Sequence, residues 1–193
     1  MRENAGRAGG SPVVQLYIGY AGLVSYIEIL LLRHLTRRPA HGYELRKRVE
    51  RTTGLRLNNN SLYPALRRFE EAGAVTRSEE PQEGRPPRLV YALTPLGREL
   101  LHDMLADLTP EQAIDDYEFM ARLGQFALLE PGERLAVLDA RDKALETRIA
   151  HLAEMLTRAA GDRWAAAVTT ELSRRDVAER GWLAELRTLA AGP

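Results

Sequence analysis

The side chains able to do chemistry are few in kind. None of the 193 residues is cysteine, which removes thiolate nucleophiles, disulfides and iron–sulfur clusters together and fits a reducing cytoplasm, the expected location. The histidines His34, His41, His102 and His151 include no pair spaced i, i+4 as a helical metal site requires, so neither a metal nor another cofactor is expected. Ser61, His102 and the carboxylates have no nucleophile elbow, phosphate loop or paired-acid motif around them, and catalysis is not expected. What remains is cationic and hydrogen-bonding. Asn59, Asn60, Ser61, Tyr63, Arg67 and Arg68 are close-spaced, and Gly84-Arg85-Pro86-Pro87-Arg88 follows. Asparagine bonds adenine, and arginine guanine, through two atoms each, discriminating by about 1–3 kcal/mol per contact. An arginine between thin residues suits a narrow minor groove.

These residues sit in an uneven electrostatic field. The chain carries 27 basic and 27 acidic residues, yet residues 33–91 hold 13 basic against 7 acidic, and residues 92–193 hold 12 against 18. A basic module therefore precedes an acidic one. Val13–Leu35 is the most apolar stretch, but Gln15, Ser25 and Glu28 interrupt it. A carboxylate at mid-span opposes a bilayer crossing, and the run continues into charged helical sequence rather than a cleavage site. The reading is a buried helix with no membrane partner, after a flexible tail over residues 1–22.

Three helices must position the polar cluster. Val24, Ile27, Leu31 and Leu35 recur at helical spacing, and the helix stops before Pro39. His41–Gly42 opens a second helix with Leu45 and Val49 inward, ended by Gly54. Ser61 is the expected N-cap of the third, with Pro64 in its first turn and Leu62, Leu66 and Phe69 as its buried stripe. Two β-prone runs, AVTRSEE and RLVYALT, then flank PQEGRPPR. They read as a hairpin with a long, basic, proline-stiffened tip. Thr94-Pro95 caps a fourth helix. This order describes a winged helix-turn-helix over residues 23–108, in which Tyr43 and Lys47 on the second helix are phosphate candidates and Arg85 and Arg88 arm the wing.

HGYEL at His41–Leu45, SLYPALRRFEEAGAV at Ser61–Val75, GRPPR at Gly84–Arg88 and VYALTPLGREL at Val90–Leu100 together resemble the PadR family of transcriptional regulators. The resemblance implies double-stranded DNA as partner, homodimerisation through a C-terminal helical domain, repression more often than activation, and in some members release by a small aromatic or planar effector. The Asn58-Asn59-Asn60 run departs from the Ser/Gly-containing turn of many relatives, which bears on base preference.

Residues 109–193 read as that helical domain, so the fold class is mainly α with a small β-hairpin. Thr109-Pro110-Glu111 starts a helix running to about Leu129. Pro131 starts another, with Leu135, Leu138, Leu145, Ile149, Leu152 and Leu156 as an apolar seam interrupted by Asp142. After Gly161-Asp162 the last helix offers Val168, Leu172, Trp182, Leu186 and Leu189. Leu138, Leu145, Ile149, Leu152, Leu156, Trp182, Leu186 and Leu189 are the dimerisation candidates. Phe119, Phe126, Trp164 and Trp182 are candidates for an effector pocket. A winged-helix protein-interaction adaptor is the alternative, set against the basic segment 33–91 with arginines at the wing tip, which an adaptor does not require.

Overall fold

The computed structural model describes residues 25–192 apart from 55, 159 and 160. The expected tail at residues 1–22 lies outside the described residues. The chain divides into two compact units, residues 1–105 and 106–193.

In the first unit the order is α1 (Ser25–Leu35), β1 (Ala40–His41), α2 (Gly42–Thr53), α3 (Asn59–Glu71), β2 (Val75–Gln82), β3 (Arg85–Leu93) and α4 (Pro95–Ala106). Its core is aliphatic apart from the rings of Phe69 and Tyr91. Ile29 and Leu32, Leu45 and Val49, Leu62, Leu66 and Phe69, Leu100 and Leu105 are all 1% exposed or less. The strands form an antiparallel sheet of order β1-β3-β2, one strand more than the expected hairpin. The added pairs are Ala40 with Tyr91 and His41 with Val90.

The wing departs from its expectation. Instead of a long loop, the strands run on to Gln82 and Arg85 around a two-residue turn at Glu83-Gly84, where Gly84 takes φ 68°. Beyond Val90 toward the turn β3 has no partner in β1, and a register shift between Glu80 and Gln82 falls at Pro81. The prolines therefore occupy positions where the ladder is open or irregular and their missing N–H is tolerated.

The start of α3 also differs. Asn58 rather than Ser61 is the N-cap, its Oδ1 accepting from the Asn60 N–H at 2.9 Å while the Ser61 and Leu62 N–H groups reach its carbonyl, each at 3.1 Å. Asparagine caps as well as serine, so the helix begins at the first competent cap. Asn59 and Asn60 become its first turn and Pro64 lies inside the helix.

At α4 the expected Thr94 cap holds: its hydroxyl accepts the Gly97 N–H at 3.0 Å and donates to the Gly73 carbonyl at 2.8 Å. Here α4 passes so close to the turn before β2 that a Cβ on Gly97 would stand 2.1 Å from the Ala74 carbonyl oxygen.

In the second unit Thr109 caps α5 (Pro110–Ala113) in a reciprocal box with Gln112. The expected single helix to Leu129 is broken, because Asp115 accepts from the Tyr117 and Glu118 N–H groups at 2.8 and 3.0 Å and so starts α6 (Asp116–Leu123). A 3-10 turn, Phe126–Leu128, follows. Two long helices, α7 (Pro131–Arg158) and α8 (Arg163–Ala190), then run antiparallel, α8 capped by Asp162. On α7 the dimerisation candidates Leu138, Leu145 and Leu152 are buried within the chain itself, while Ile149 and Leu135 are half-buried and Leu156 is exposed.

The buried line of α8 is Thr169, Asp176, Leu183 and Ala190, not the apolar stripe. Val168, Leu172, Trp182 and Leu189 are exposed and Leu186 is half-buried. Buried ion pairs set this rotation. Arg141, wholly buried, donates to both Glu179 oxygens (2.7 and 2.9 Å), to Asp116 (2.6 Å) and to the Ala113 carbonyl (2.9 Å). Arg148 meets Asp176 at 2.7 Å, and Asp142, expected in the seam, binds Arg180 at 2.6 Å. A guanidinium removed from water must keep its carboxylates, so α8 turns its acids to α7 and its apolar stripe outward. Carboxylate contacts beside the buried Arg141 keep its guanidinium charged, and the Arg180 hydrogen bond holds the Asp142 carboxyl below its usual range.

Gly97→Ala is expected to lower stability by about 1–3 kcal/mol, because the added methyl meets backbone rather than a movable side chain. Urea unfolding followed by circular dichroism measures this; a midpoint like that of the parent would show that α4 shifts freely.

Candidate nucleic-acid interface

α3 presents two faces. Leu62, Ala65, Leu66 and Phe69 are buried, so the helical repeat turns Asn60, Tyr63, Pro64, Arg67 and Glu71 outward, and each is exposed. Asn59, also exposed, accepts at Oδ1 from Arg46 of α2 at 3.3 Å. Ser61 is half-buried. Arg68 does not join the outward face. Its Nη2 donates to Oε1 of Glu28, a carboxylate that α1 buries to 3% exposure, so the side chain braces α3 against α1.

Tyr63 keeps 45% of its surface exposed and lies over the start of α2, where a Cβ on Gly42 would come within 3.0 Å of its ring. Tyr43, 56% exposed, stands beside it on α2 with Lys47 Nζ 4.7 Å and Arg46 Cζ 5.2 Å from its ring centre. Two cations on one exposed ring form a local positive patch. Arg88 of β3 is exposed opposite Glu80 in the ladder. Tyr43, Tyr63 and Arg88 line one open groove of about 580 Å³ with His41 and Tyr91. Burial pushes the Tyr91 phenol up, so it is a neutral hydrogen-bonding group there. Arg85 opens β3 at the turn; its side chain lies outside the described residues.

The structure thus gathers Tyr43, Lys47, Asn59, Asn60, Tyr63, Arg67 and Arg88 on α2, α3 and the wing. Sequence reasoning missed Arg46, although its place three residues after Tyr43 on α2 was a usable signal.

The second unit does not assemble the expected effector pocket from all four of its aromatics. Phe119 is buried, edge-on to Trp182 with centroids 6.5 Å apart and with Arg141 Cζ 5.2 Å from its ring. Phe126 is half-buried in the 3-10 turn. Trp164, 70% exposed beside Arg163, stands at the opposite end of α8 from Trp182. At 1.5 Å per residue that is about 27 Å away, beyond the reach of one small ligand.

Helix, turn and exposed polar helix, followed by a β-ribbon with Arg85 and Arg88 near its tip, define a winged-helix domain of the DNA-binding class. The model of the Transcriptional regulator PadR-like family matches residues 31–103, and the winged-helix unit is a PadR-like domain. An uncharacterised 37.1 kDa protein of a Streptomyces fradiae transposon is 36% identical over 123 residues, 60% of this chain; the chain spans 34% of the length of that relative. A PadR family transcription regulator from Clostridium difficile is 30% identical, aligning 39% of this chain with 79% of its own at a TM-score of 0.37. Bacillus subtilis PadR in complex with operator DNA is 18% identical, aligning 84% of this chain with 97% of its own at a TM-score of 0.41. No helix among the described residues is long and apolar enough to cross a membrane.

The Asn58 cap separates folding from binding. Asn58→Asp keeps an acceptor for the Asn60 N–H and is expected to leave stability unchanged, yet it puts a negative charge on the outward end of α3 and weakens DNA binding. Asn58→Ala is expected to cost about 1 kcal/mol of stability. Thermal melts beside duplex titrations of both variants check this; equal DNA affinity for Asn58→Asp and the parent would place the end of α3 away from the phosphates.

Proposed function

We propose that the protein is a PadR-type repressor that binds an inverted-repeat operator as a homodimer and is released by a small planar effector. The observation that carries the reading is the outward face of α3, with Asn60, Tyr63 and Arg67 beside a groove shared with Tyr43 and with Arg88 of the wing, in a domain of a transcriptional-regulator family. A helix about 10–12 Å across fits the major groove. In this reading Asn59, Asn60 and Arg67 meet base edges, Tyr43, Lys47, Ser61 and Tyr63 fix the register on phosphates, and Arg85 and Arg88 follow the minor groove. Arg68 acts through its brace to Glu28.

Dimerisation is supported by the apolar residues that α8 leaves uncovered, among them Val168 at 61% and Leu189 at 76% exposure. A two-fold pair presents two copies of α3 to half-sites about 34 Å apart. Trp182 supports the effector part, since it packs on Phe119 and still keeps 36% exposure.

The decisive experiment is titration of the purified protein against a duplex from upstream of its own gene and a scrambled duplex, at about 50 and 200 mM salt. Tight binding to the first that survives the higher salt is expected. Binding to neither duplex at low salt moves the adaptor reading to the front. Arg67→Ala is expected to lower operator affinity by about tenfold and blur base preference, whereas Arg88→Ala lowers the salt slope by about one. For the dimer, Val168→Glu with Leu189→Glu is expected to yield a folded monomer in sedimentation analysis; a dimer of parental mass would move the interface off α8.

A further inference from the structure

The ends of α1 and α2 form a second cationic feature, apart from the groove at the wing. A cleft of about 490 Å³ is lined by His34, Arg37, Arg38, Arg48, Arg51 and Thr52. Arg48, Arg51 and Thr52 lie on the flank of α2 away from Arg46, the residue that reaches Asn59 of α3. Four guanidiniums share the cleft. Glu44 takes a hydrogen bond from Arg48 at 2.6 Å and from Arg38 at 2.7 Å, and Arg48 also donates to the His34 carbonyl at 3.4 Å. Those contacts hold the Glu44 carboxyl below its usual range. Arg37 and Arg51 are exposed, and neither meets a carboxylate among the described residues.

We propose that this cleft binds a phosphate group. Two unpartnered guanidinium forks supply paired N–H donors matched to phosphate oxygens, and the surplus charge calls for an anion carrying more than one negative charge. The Thr52 hydroxyl, which donates to the Arg48 carbonyl at 3.0 Å, lies at the same mouth. The imidazole of His34, 3.3 Å from that hydroxyl, reports the field there. Burial first, then Arg48, Arg37, Arg33 and Arg51, hold it below the ordinary 6.5, so it is neutral at pH 7. A bound phosphate reverses the sign of the local potential, and the imidazole then takes up its proton at a higher pH. The phosphate comes from one of two sources, a free anion or the DNA backbone beyond the segment spanned by α3 and the wing.

The test uses the full chain with isotope-labelled histidine in a buffer without phosphate. His34 is followed by NMR across pH with and without inorganic pyrophosphate, and His41 serves as the internal control. A rise in the His34 midpoint toward or above 6.5 that is absent from Arg37→Ala/Arg51→Ala assigns the cleft to free phosphates. Both changes are at exposed positions, and an unchanged melting temperature verifies the fold. Without a pyrophosphate response, a fall of about two in the salt slope for duplex binding in the same double variant assigns the cleft to a backbone phosphate. No change in either arm, or a pyrophosphate response that survives the double variant, overturns the proposal. The pyrophosphate arm contains no DNA, so failure of the operator reading leaves its result intact.

Discussion

One buried carboxylate sets the rotation of the helix that faces outward. Glu28 sits in α1 at 3% exposure, where an unpaired charge would be untenable, and Arg68 of α3 meets it. The pair fixes which side of α3 is in. Because Arg68 points to α1, the helical repeat places Leu62, Ala65, Leu66 and Phe69 in the core and leaves Asn60, Tyr63 and Arg67 outside. Shape alone would hold such a helix less strictly, since an aliphatic stripe admits small rotations and an ion pair with one direction does not.

The second unit applies the same rule to a longer interface. Its α7 and α8 meet through Arg141–Glu179, Arg148–Asp176 and Arg180–Asp142 as well as through leucines. These pairs settle the register of two long helices that apolar side chains alone leave ambiguous by a turn. They also leave α8 with an apolar outer face, because acids occupy the inner one.

Much of the first unit was legible in the sequence. Leu45 and Val49, and Leu62, Leu66 and Phe69, are at helical spacing and are the core. Thr94, Thr109 and Asp162 announce helix starts by residue type. The errors have physical causes. Asn58 and Ser61 are both good caps, and Pro64 drew the boundary toward Ser61, although a proline is tolerated further inside α3 than its missing donor would favour. The prolines of the wing read as loop because nothing local reveals that the facing edge is open. The Glu28–Arg68 contact joins residues 40 positions apart, beyond any window of periodicity. On α8 the rule that seams are apolar chose the outer stripe, since a buried line of Thr169, Asp176, Leu183 and Ala190 looks like surface until its arginine partners are known.

The wing has a consequence of a different kind. Of β2 only Val75 is buried and β3 is buried at Tyr91, so from the Glu79–Leu89 pair to the turn at Glu83-Gly84 the described side chains of the ribbon rest on no core. Its length is therefore decoupled from stability. Two residues added to each strand would extend the ribbon by about 7 Å, at 3.3–3.4 Å per residue, without opening a cavity or shifting a core side chain. The domain carries a component whose dimensions can drift over generations while everything beneath it stays fixed.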